Sequence, residues 1–216
     1  MRFGRIDYLN LLPFHVFMKR YLRFSQPQMA IRHGAGVPSA VNRAFETRRV
    51  DAAFVSSIRA RRCRRAPLGI IARGEVQSVL LIPGTESKKD SASATSNVLA
   101  DLLGLEGEVV IGDRALRAYS EGVEAVDLAA LWRERYGLPF VFAVLCHRGH
   151  DEKIGRLARA FARRPQKIPQ YLLRRAAERS GIPVPVIRAY LEKIDYRLDH
   201  RSLRGLQTFL RLAAIR

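Results

Sequence analysis

Cysteine, lysine and long apolar runs are scarce in this sequence, and two of these shortages exclude classes of protein. Its two cysteines, Cys63 and Cys146, form neither a close-spaced pair nor a metal-binding pattern. No apolar run approaches the ~20 residues that a membrane-spanning helix needs, and the first residues lack the apolar core of a signal peptide. We therefore expect reduced cysteines, a cytoplasmic location and no membrane partner.

Acidic residues are also few compared with basic ones, and the formal net charge is +18 at pH 7. Only six of the 38 basic residues are lysines, and 17 basic but six acidic residues lie from His147 onward. A second basic cluster, Arg59–Arg65, falls in a predicted loop. This charge fits a nucleic-acid footprint, but few aromatic residues accompany it for base stacking. We favour solvated, arginine-rich helix faces.

Short apolar strands alternate with helices as far as Cys146. The predicted strands are residues 2–8, 50–55, 68–72, 76–82, 108–113, 123–128 and 137–146. The last of them is apolar on both faces, which is typical of a strand covered on both sides. Four amphipathic helices without a clear strand follow, near residues 151–163, 169–180, 185–193 and 202–216. The pattern predicts an α/β protein with a helical C-terminal region.

Polar side chains stand where predicted strands end or helices begin. Asn10 follows the first strand, Ser39 is the predicted N-cap after the glycine-rich turn 31–39, and Ser56 and Ser57 end another strand. Open α/β sheets place ligands at strand ends, and free N–H groups at helix N-termini bind anions. Each of these residues could instead cap its own helix or turn, and capping is the favoured role of Asn10 on position alone.

The segment from residue 76 to residue 113 supplies further candidates. Ser78 is a lone hydroxyl in an aliphatic strand, and the hydroxyl cluster at 91–97 opens a helix. In that cluster Thr95 and Ser96 could bind a carboxylate with the help of the helix dipole. Asp113 ends the strand 108–113 as a candidate general base or orienting residue, although helix capping is at least as well supported.

Residues 176–191 imitate a helix-turn-helix motif, with Gly181 in the turn. Pro183 and Pro185 crowd the start of the supposed recognition helix, and both helices carry apolar stripes that need a partner surface. Nucleic-acid binding is therefore the weaker hypothesis for this segment.

Five stretches, in order and spacing, carry a resemblance to a known family. They are residues 5–13, 36–42, 51–58, 93–96 with 112–116, and 137–143. Together they resemble the chorismate dehydratases, the MqnA family of the futalosine route to menaquinone biosynthesis. The resemblance covers nearly the whole chain and is strongest to the short branch found in Helicobacter and Campylobacter.

The resemblance implies a type II periplasmic-binding-protein-like fold with two α/β lobes and a cleft between them. Residues 1–82 and 139–216 would form lobe 1, including the C-terminal helices, and residues 83–138 would form lobe 2. Two strands would cross between the lobes: residues 76–82 on the outward path and residues 140–146 on the return.

The resemblance also implies a lyase that converts chorismate to 3-[(1-carboxyvinyl)oxy]benzoate with loss of water, without cofactor or metal. Asn10 would orient the reacting ring, and either Asp113 or the substrate's own side-chain carboxylate would be the base. Phe142 would form an apolar wall. The substrate-binding hydroxyls would be Ser39, Ser56, Ser57, Ser78, Thr95 and Ser96. Arg59 stands where many family members carry an acidic residue, so no role is expected for that acid here.

Three other hypotheses compete with the dehydratase. One is a non-catalytic anion-binding protein of the same fold, and another is the related enzyme of the pathway that acts on cyclic dehypoxanthine futalosine. The third is a basic helix-turn-helix regulator that binds nucleic acid. The five stretches favour the dehydratase, with a small-molecule substrate as its partner.

Overall fold

Two β-sheets organise the computed structural model, which describes residues 1–21, 36–163 and 165–215. The strands are β1 (Ala52–Ser56), β2 (Arg64–Ala72), β3 (Val79–Pro83), β4 (Gly107–Ile111), β5 (Val126–Asp127), β6 (Phe140–His147) and β7 (Ile194–Arg197). One sheet has the order β1-β6-β2-β7 and the other β4-β3-β5, and all neighbouring strands in both are antiparallel.

Helices cover both sheets and dominate the C-terminal third. They are α1 (Leu12–Tyr21), α2 (Pro38–Glu46), α3 (Ala94–Leu103), α4 (Gly112–Ser120), α5 (Leu128–Tyr136), α6 (Asp151–Ala162), α7 (Gln170–Ser180), α8 (Val184–Glu192) and α9 (His200–Ile215). Short 3₁₀ helices occupy Leu9–Leu11 and Ser57–Arg62. The predicted α/β class with a helical C-terminal region is confirmed.

Strand β6 lies in the middle of the four-stranded sheet, between β1 and β2. The chain leaves this sheet after Ala72, forms β3, β4 and β5 in the other sheet, and returns at Phe140. Gly137, which adopts the left-handed φ of 66°, ends α5 just before the return. Every residue of β6 except Phe142 is buried. The apolar character of both faces therefore follows from a central strand with layers on either side.

The outward path differs from the expectation at one strand. Strand β3 pairs with β4 and β5, so the chain changes sheets between Ala72 and Val79 rather than after residue 82. The carboxylate of Asp127 holds this connection, because its Oδ2 accepts the backbone N–H groups of Val76 and Gln77 at 2.8 and 2.6 Å. The division into two lobes stays a prediction, but the boundary between the sheets falls earlier.

One predicted strand does not form, and one strand that is present was not expected. The predicted strand 2–8 forms isolated bridges, from Phe3 to Ala52 and from Ile6 to Gly36, instead of a continuous ladder. Its alternation reflects burial of Phe3 and Ile6 in the core. The C-terminal region also contains a strand, since β7 pairs with β2 at the edge of the four-stranded sheet. Four residues are too few to show a periodic pattern in the sequence.

The expectation of reduced cysteines is also wrong, because Cys63 and Cys146 form a disulfide. Antiparallel pairing of β2 with β6 brings Arg65 opposite Cys146, and Cys63 directly precedes β2. The Cα atoms of the two cysteines are 5.7 Å apart although 83 positions separate them in sequence. Because all of β3, β4 and β5 lies between them, the bond closes the loop that contains the second sheet.

Helix α9 packs against the return path at Gly205. A Cβ atom at this position would overlap the carbonyl oxygen of Pro139, a backbone atom that cannot move aside alone. We expect Gly205→Ala to lower the free energy of unfolding by about 1–3 kcal/mol, the usual cost of overpacking. Urea denaturation of the purified variant measures this loss.

A matched control for Gly205 is available in α6. A Cβ atom at Gly155 would meet only the flexible end of Arg159, whose Nη1 is 3.3 Å away. Gly155→Ala should therefore be neutral or stabilise the protein by up to about 1 kcal/mol through helix propensity. Equal stability of the two variants would contradict close packing of α9 on the return path.

Candidate active site

A cavity of about 50 Å³ lies where the two sheets meet. Its wall is mainly apolar, with Phe54, Ile70, Val76 and Phe142 among its residues. The polar residues that line it are Tyr8, Asn10, Ser56, Ser78, Ser93 and Ser96. Ser56 ends β1, Ser78 lies on the connection between the sheets, and Ser93 and Ser96 lie at the start of α3. Ligand sites in open α/β folds are commonly built from such positions.

Helix N-termini face this cavity instead of cationic side chains. Pro38 of α2, the N-cap Ser93 of α3 and Gly112 of α4 all line it. Within the described ranges no lysine or arginine does, although the whole chain has 38 of them. The positive ends of three helix dipoles therefore favour an anion here without a fixed positive charge.

Asn10 places an unsatisfied acceptor in this site. Within the described part of the chain, its Oδ1 is one of three buried side-chain atoms without a hydrogen-bond partner. The turn that carries Asn10 is held from two sides: its carbonyl oxygen accepts from the Tyr196 hydroxyl at 2.5 Å, and Leu9 N–H donates to Asp113 at 3.0 Å. A buried amide oxygen without a partner is costly unless a ligand supplies the hydrogen bond.

The paired serines at the end of β1 make different contacts. Ser56 lines the cavity, and its hydroxyl oxygen accepts from Asn42 Nδ2 at 2.8 Å. Ser57 is fully buried outside the lining and donates to the carbonyl oxygen of Val141 at 2.5 Å. The first serine can therefore contact a ligand, while the second joins the 3₁₀ helix to β6.

Ser78 lies on the connection between the two sheets and also lines the cavity. Its hydroxyl oxygen accepts from the Tyr190 hydroxyl at 3.0 Å, and its carbonyl oxygen accepts from Gly112 N at 2.8 Å. The preceding residue, Gln77, has the left-handed φ of 63°, which is uncommon without glycine. Two hydrogen bonds to Asp127 hold this unusual backbone.

The hydroxyl cluster at the start of α3 divides in the same way. Ser93 and Ser96 line the cavity, their hydroxyl oxygens are 2.8 Å apart, and Ser93 accepts from Ser96 N at 3.2 Å as the N-cap of α3. Thr95 is buried outside the lining, where its Oγ1 accepts from Ile58 N at 3.3 Å. Position in the cluster therefore decides which hydroxyl reaches the cavity. Ser93 is a lining residue that the sequence did not predict.

Besides Ser57 and Thr95, two more predicted residues, Ser39 and Asp113, lie outside the lining. Ser39 is exposed and is not an N-cap, because Pro38 occupies the first helical position and Val37 precedes it. Residues 31–35 of the predicted glycine-rich turn are outside the described residues. Asp113 is mostly buried, accepts from Leu9 N and lies 3.8 Å from Arg179 Nη2. Burial raises the pKa of its carboxyl group.

Tyr8 and Gly112 shape one side of the cavity together. Burial, with the carboxylates of Asp90 and Asp113 nearby, raises the pKa of Tyr8 to about 12, so the phenol stays neutral. Gly112 has a φ of 64°, and any side chain there would overlap the Tyr8 ring. Phe142, the predicted wall, packs edge-on against Phe140 with ring centroids 4.7 Å apart.

The competing sequence features have structural explanations. Tyr190 and Ile187 of α8, the supposed recognition helix, are buried inside the protein. In the predicted arginine loop, residues 59–62 are helical and Arg64 begins β2, where it pairs with Asp151 at 2.9 Å. No helix of the described residues is long and apolar enough to cross a membrane. The same residues contain no His, Cys, Asp and Glu group that could hold a metal.

Solved structures share this fold at low sequence identity. A protein from Archaeoglobus fulgidus matches with a TM-score of 0.72 at 13% identity, over 99% of this chain and 96% of that one. A Candida albicans gene product, described as having the generic periplasmic binding protein fold, matches with a TM-score of 0.62 at 9% identity, over 100% and 90%. The predicted periplasmic-binding-protein-like fold is confirmed.

Sequence comparison identifies the family. The family model described as menaquinone biosynthesis matches residues 1–107 and 102–215. A chorismate dehydratase from Campylobacter jejuni is 37% identical over 215 residues, which are 98% of this chain and 96% of the relative. The predicted resemblance is confirmed, and the chain belongs to the menaquinone-biosynthesis family that includes this chorismate dehydratase.

Proposed function

We propose that the protein is a chorismate dehydratase, a carbon-oxygen lyase of the futalosine route to menaquinone. It converts chorismate to 3-[(1-carboxyvinyl)oxy]benzoate and water. The observation that carries this proposal is the unpartnered Oδ1 of Asn10 in a cavity that combines an apolar wall with hydroxyls and helix N-termini. Such a site suits a substrate with an unsaturated ring, a ring hydroxyl and two carboxylates.

The reaction requires correct orientation of the substrate more than a strong acid or base. The ring loses a hydroxyl group and a neighbouring ring proton, which together leave as water, and the ring becomes aromatic. Because aromatisation drives the reaction, no cofactor is needed. The protein must hold the hydroxyl, ring and carboxylates in one geometry and exclude competing reactions, which positioned dipoles can do.

Asn10 is the proposed orienting residue. Its free Oδ1 can accept a hydrogen bond from the ring hydroxyl, which satisfies the buried acceptor and fixes the leaving group. The hydrogen bonds that hold its turn, from Tyr196 and to Asp113, keep the amide in place without ligand. An amide is too weak a base to remove the ring proton, so the base must be another group.

We assign the base to the substrate's own side-chain carboxylate. The rival candidate, Asp113, does not line the cavity, and Leu9 N–H already occupies its Oδ1. Asp113 instead ties the start of α4 to the turn before Asn10. A carboxylate delivered with the substrate needs only correct placement, which the surrounding hydroxyls and helix N-termini provide.

The carboxylates of the substrate are proposed to bind the cavity hydroxyls. Ser56, Ser78 and Ser96 line the cavity directly. Ser39 could contribute only from the exposed start of α2, and Ser57 and Thr95 act through the backbone groups they bind. A cavity of about 50 Å³ is small for such a substrate, so the two lobes must separate for it to enter.

We also propose a cytoplasmic location, which rests on the biosynthetic class of the family. The Cys63–Cys146 bond is unusual for that compartment, where thiol reductants keep most cysteines reduced. A small-molecule substrate is the proposed partner, and neither membrane nor nucleic acid is required.

Incubation of the purified protein with chorismate tests the function. We expect the absorbance of an aromatic product and, by mass spectrometry, the loss of one water from the substrate. Binding of chorismate without product would favour a non-catalytic anion-binding protein. Turnover of cyclic dehypoxanthine futalosine instead would favour the related pathway enzyme, and salt-dependent DNA binding without either activity would favour a regulator.

A further inference from the structure

Two buried polar side chains, Asn42 and Tyr190, lie behind the cavity and do not line it. Each is hydrogen-bonded to a serine that does, Ser56 for Asn42 and Ser78 for Tyr190. The two pairs come from unrelated parts of the chain. Their shared arrangement, a buried donor behind a cavity hydroxyl, suggests a common purpose.

The direction of the hydrogen bonds at Ser56 is fixed by its backbone. The N–H of Ser56 can only donate, and it bonds Asn42 Oδ1 at 3.0 Å. The other end of the amide, Nδ2, must therefore face the Ser56 hydroxyl, to which it donates at 2.8 Å. The hydroxyl oxygen is used as an acceptor in this pair, which leaves its proton for a group in the cavity.

The direction at Ser78 is fixed by burial of Tyr190. The tyrosine is 1% exposed, and burial raises the pKa of its phenol well above the ordinary value, so it keeps its proton. A buried phenol needs an acceptor, and the Ser78 hydroxyl provides it at 3.0 Å. The Ser78 proton is consequently also left for the cavity.

The neighbouring hydroxyls that lack such a donor behave differently. Ser57 gives its proton to the Val141 carbonyl oxygen and cannot offer it to a ligand. Ser93 and Ser96 bond each other, so one of their two protons is used within the pair. Since no lysine or arginine of the described residues lines the cavity, protons from hydroxyls matter more for binding an anion.

We propose that Asn42 and Tyr190 are positioning residues that make Ser56 and Ser78 hydrogen-bond donors to the carboxylates of the substrate. The inference rests on the proposed function, because chorismate is the dicarboxylate concerned. A carboxylate accepts hydrogen bonds and cannot donate them, so a serine whose proton is directed elsewhere would lose this contact. The two residues act on binding through the serines, without contact to the substrate.

Tyr190→Phe tests one half of the proposal, because it removes only the hydroxyl and keeps the ring in the core. We expect KM for chorismate to rise about fivefold, since a hydrogen bond to a charged group is lost, and kcat to change by a smaller factor, since only one of the two carboxylates takes the ring proton. Tyr171→Phe is the matched control: Tyr171 is 62% exposed on α7, and its substitution should change neither constant.

Asn42→Asp tests the other half by reversing one hydrogen bond without changing shape. Its Oδ1 can still accept from Ser56 N–H, but the second oxygen can only accept and draws the Ser56 proton away from the cavity. We expect KM to rise about tenfold or more, because the donor to the substrate is lost and the added charge repels a carboxylate, with a smaller change in kcat.

Double variants separate positioning from simple structural damage. In a Ser78→Ala background, Tyr190→Phe should have no further effect on KM. In a Ser56→Ala background, Asn42→Asp should raise KM by a smaller factor than in the wild type, because only the repulsion of its added charge remains. Effects that persist at full size in these backgrounds, or single variants with unchanged KM, would overturn the proposal. If the wild-type protein neither binds nor converts chorismate, the proposed function fails first and the inference falls with it.

Discussion

Asn10→Ala should lower kcat for the dehydration of chorismate by about 10²–10³-fold, the usual effect of removing one preorganised dipole from a catalytic site. Binding should weaken much less, because the proposed carboxylate contacts come from Ser56, Ser78 and Ser96. Steady-state kinetics with chorismate measures kcat and KM. Because Asn10→Ala should turn over slowly, titration calorimetry of this variant with chorismate measures the affinity for the substrate directly.

The structure makes this substitution easy to interpret. The turn at Asn10 is held by its backbone, through the Tyr196 hydroxyl and through Leu9 N–H to Asp113. The side-chain amide supports none of these bonds, and its Oδ1 has no partner to lose. Truncation to alanine should therefore leave the unfolding midpoint in urea near that of the wild type. A clearly lower unfolding midpoint for Asn10→Ala would indicate that the side chain has a structural role.

Asn10→Asp is the complementary variant, since it keeps the shape and adds a negative charge beside a dianionic substrate. We expect this variant to raise KM as well as to lower kcat, because like charges repel strongly in a buried site. Full turnover by Asn10→Ala with unchanged binding would end the orienting role of Asn10. Another residue would then have to hold the leaving hydroxyl.

The sequence predicts cavity residues best where one polar side chain stands alone among apolar neighbours. Asn10 and Ser78 are such residues, and both line the cavity. The prediction fails for neighbours: Ser57 and Thr95 were predicted with Ser56 and Ser96, yet bond backbone groups elsewhere. Adjacent residues at an element's end point in different directions, and no pattern in the sequence states which one faces the ligand.

Features built from distant segments could not be predicted at all. Tyr190 occupies an apolar stripe of α8, and only the packed structure brings its hydroxyl to Ser78, 112 positions away in sequence. Strand β7 is defined by its pairing with β2, which the sequence of β7 alone does not show. The five family stretches, in contrast, predicted the fold and the family correctly because they cover nearly the whole chain.

The disulfide is the long-range feature with the largest expected effect on stability. It joins Cys63 and Cys146 across 83 positions, so it restricts the unfolded chain through a loop that contains the whole second sheet. In the chain-entropy description, a loop of this length stabilises the folded protein by about 4.5 kcal/mol. We expect reduction to lower the free energy of unfolding by that order, because the antiparallel pairing of β2 with β6 remains without the bond.

Urea denaturation with and without a dithiol reductant measures this difference, and a Cys63→Ala/Cys146→Ala variant is the control. The variant should resemble the reduced wild type, and the reductant should not change its stability. A thiol reagent added to the unreduced, unfolded protein should find no free thiol. Two titratable thiols, or equal stability with and without reductant, would contradict the bond. The proposed cytoplasmic location would oppose the disulfide, so the same titration on protein purified without oxidation shows whether the two cysteines are bonded or reduced in the cell.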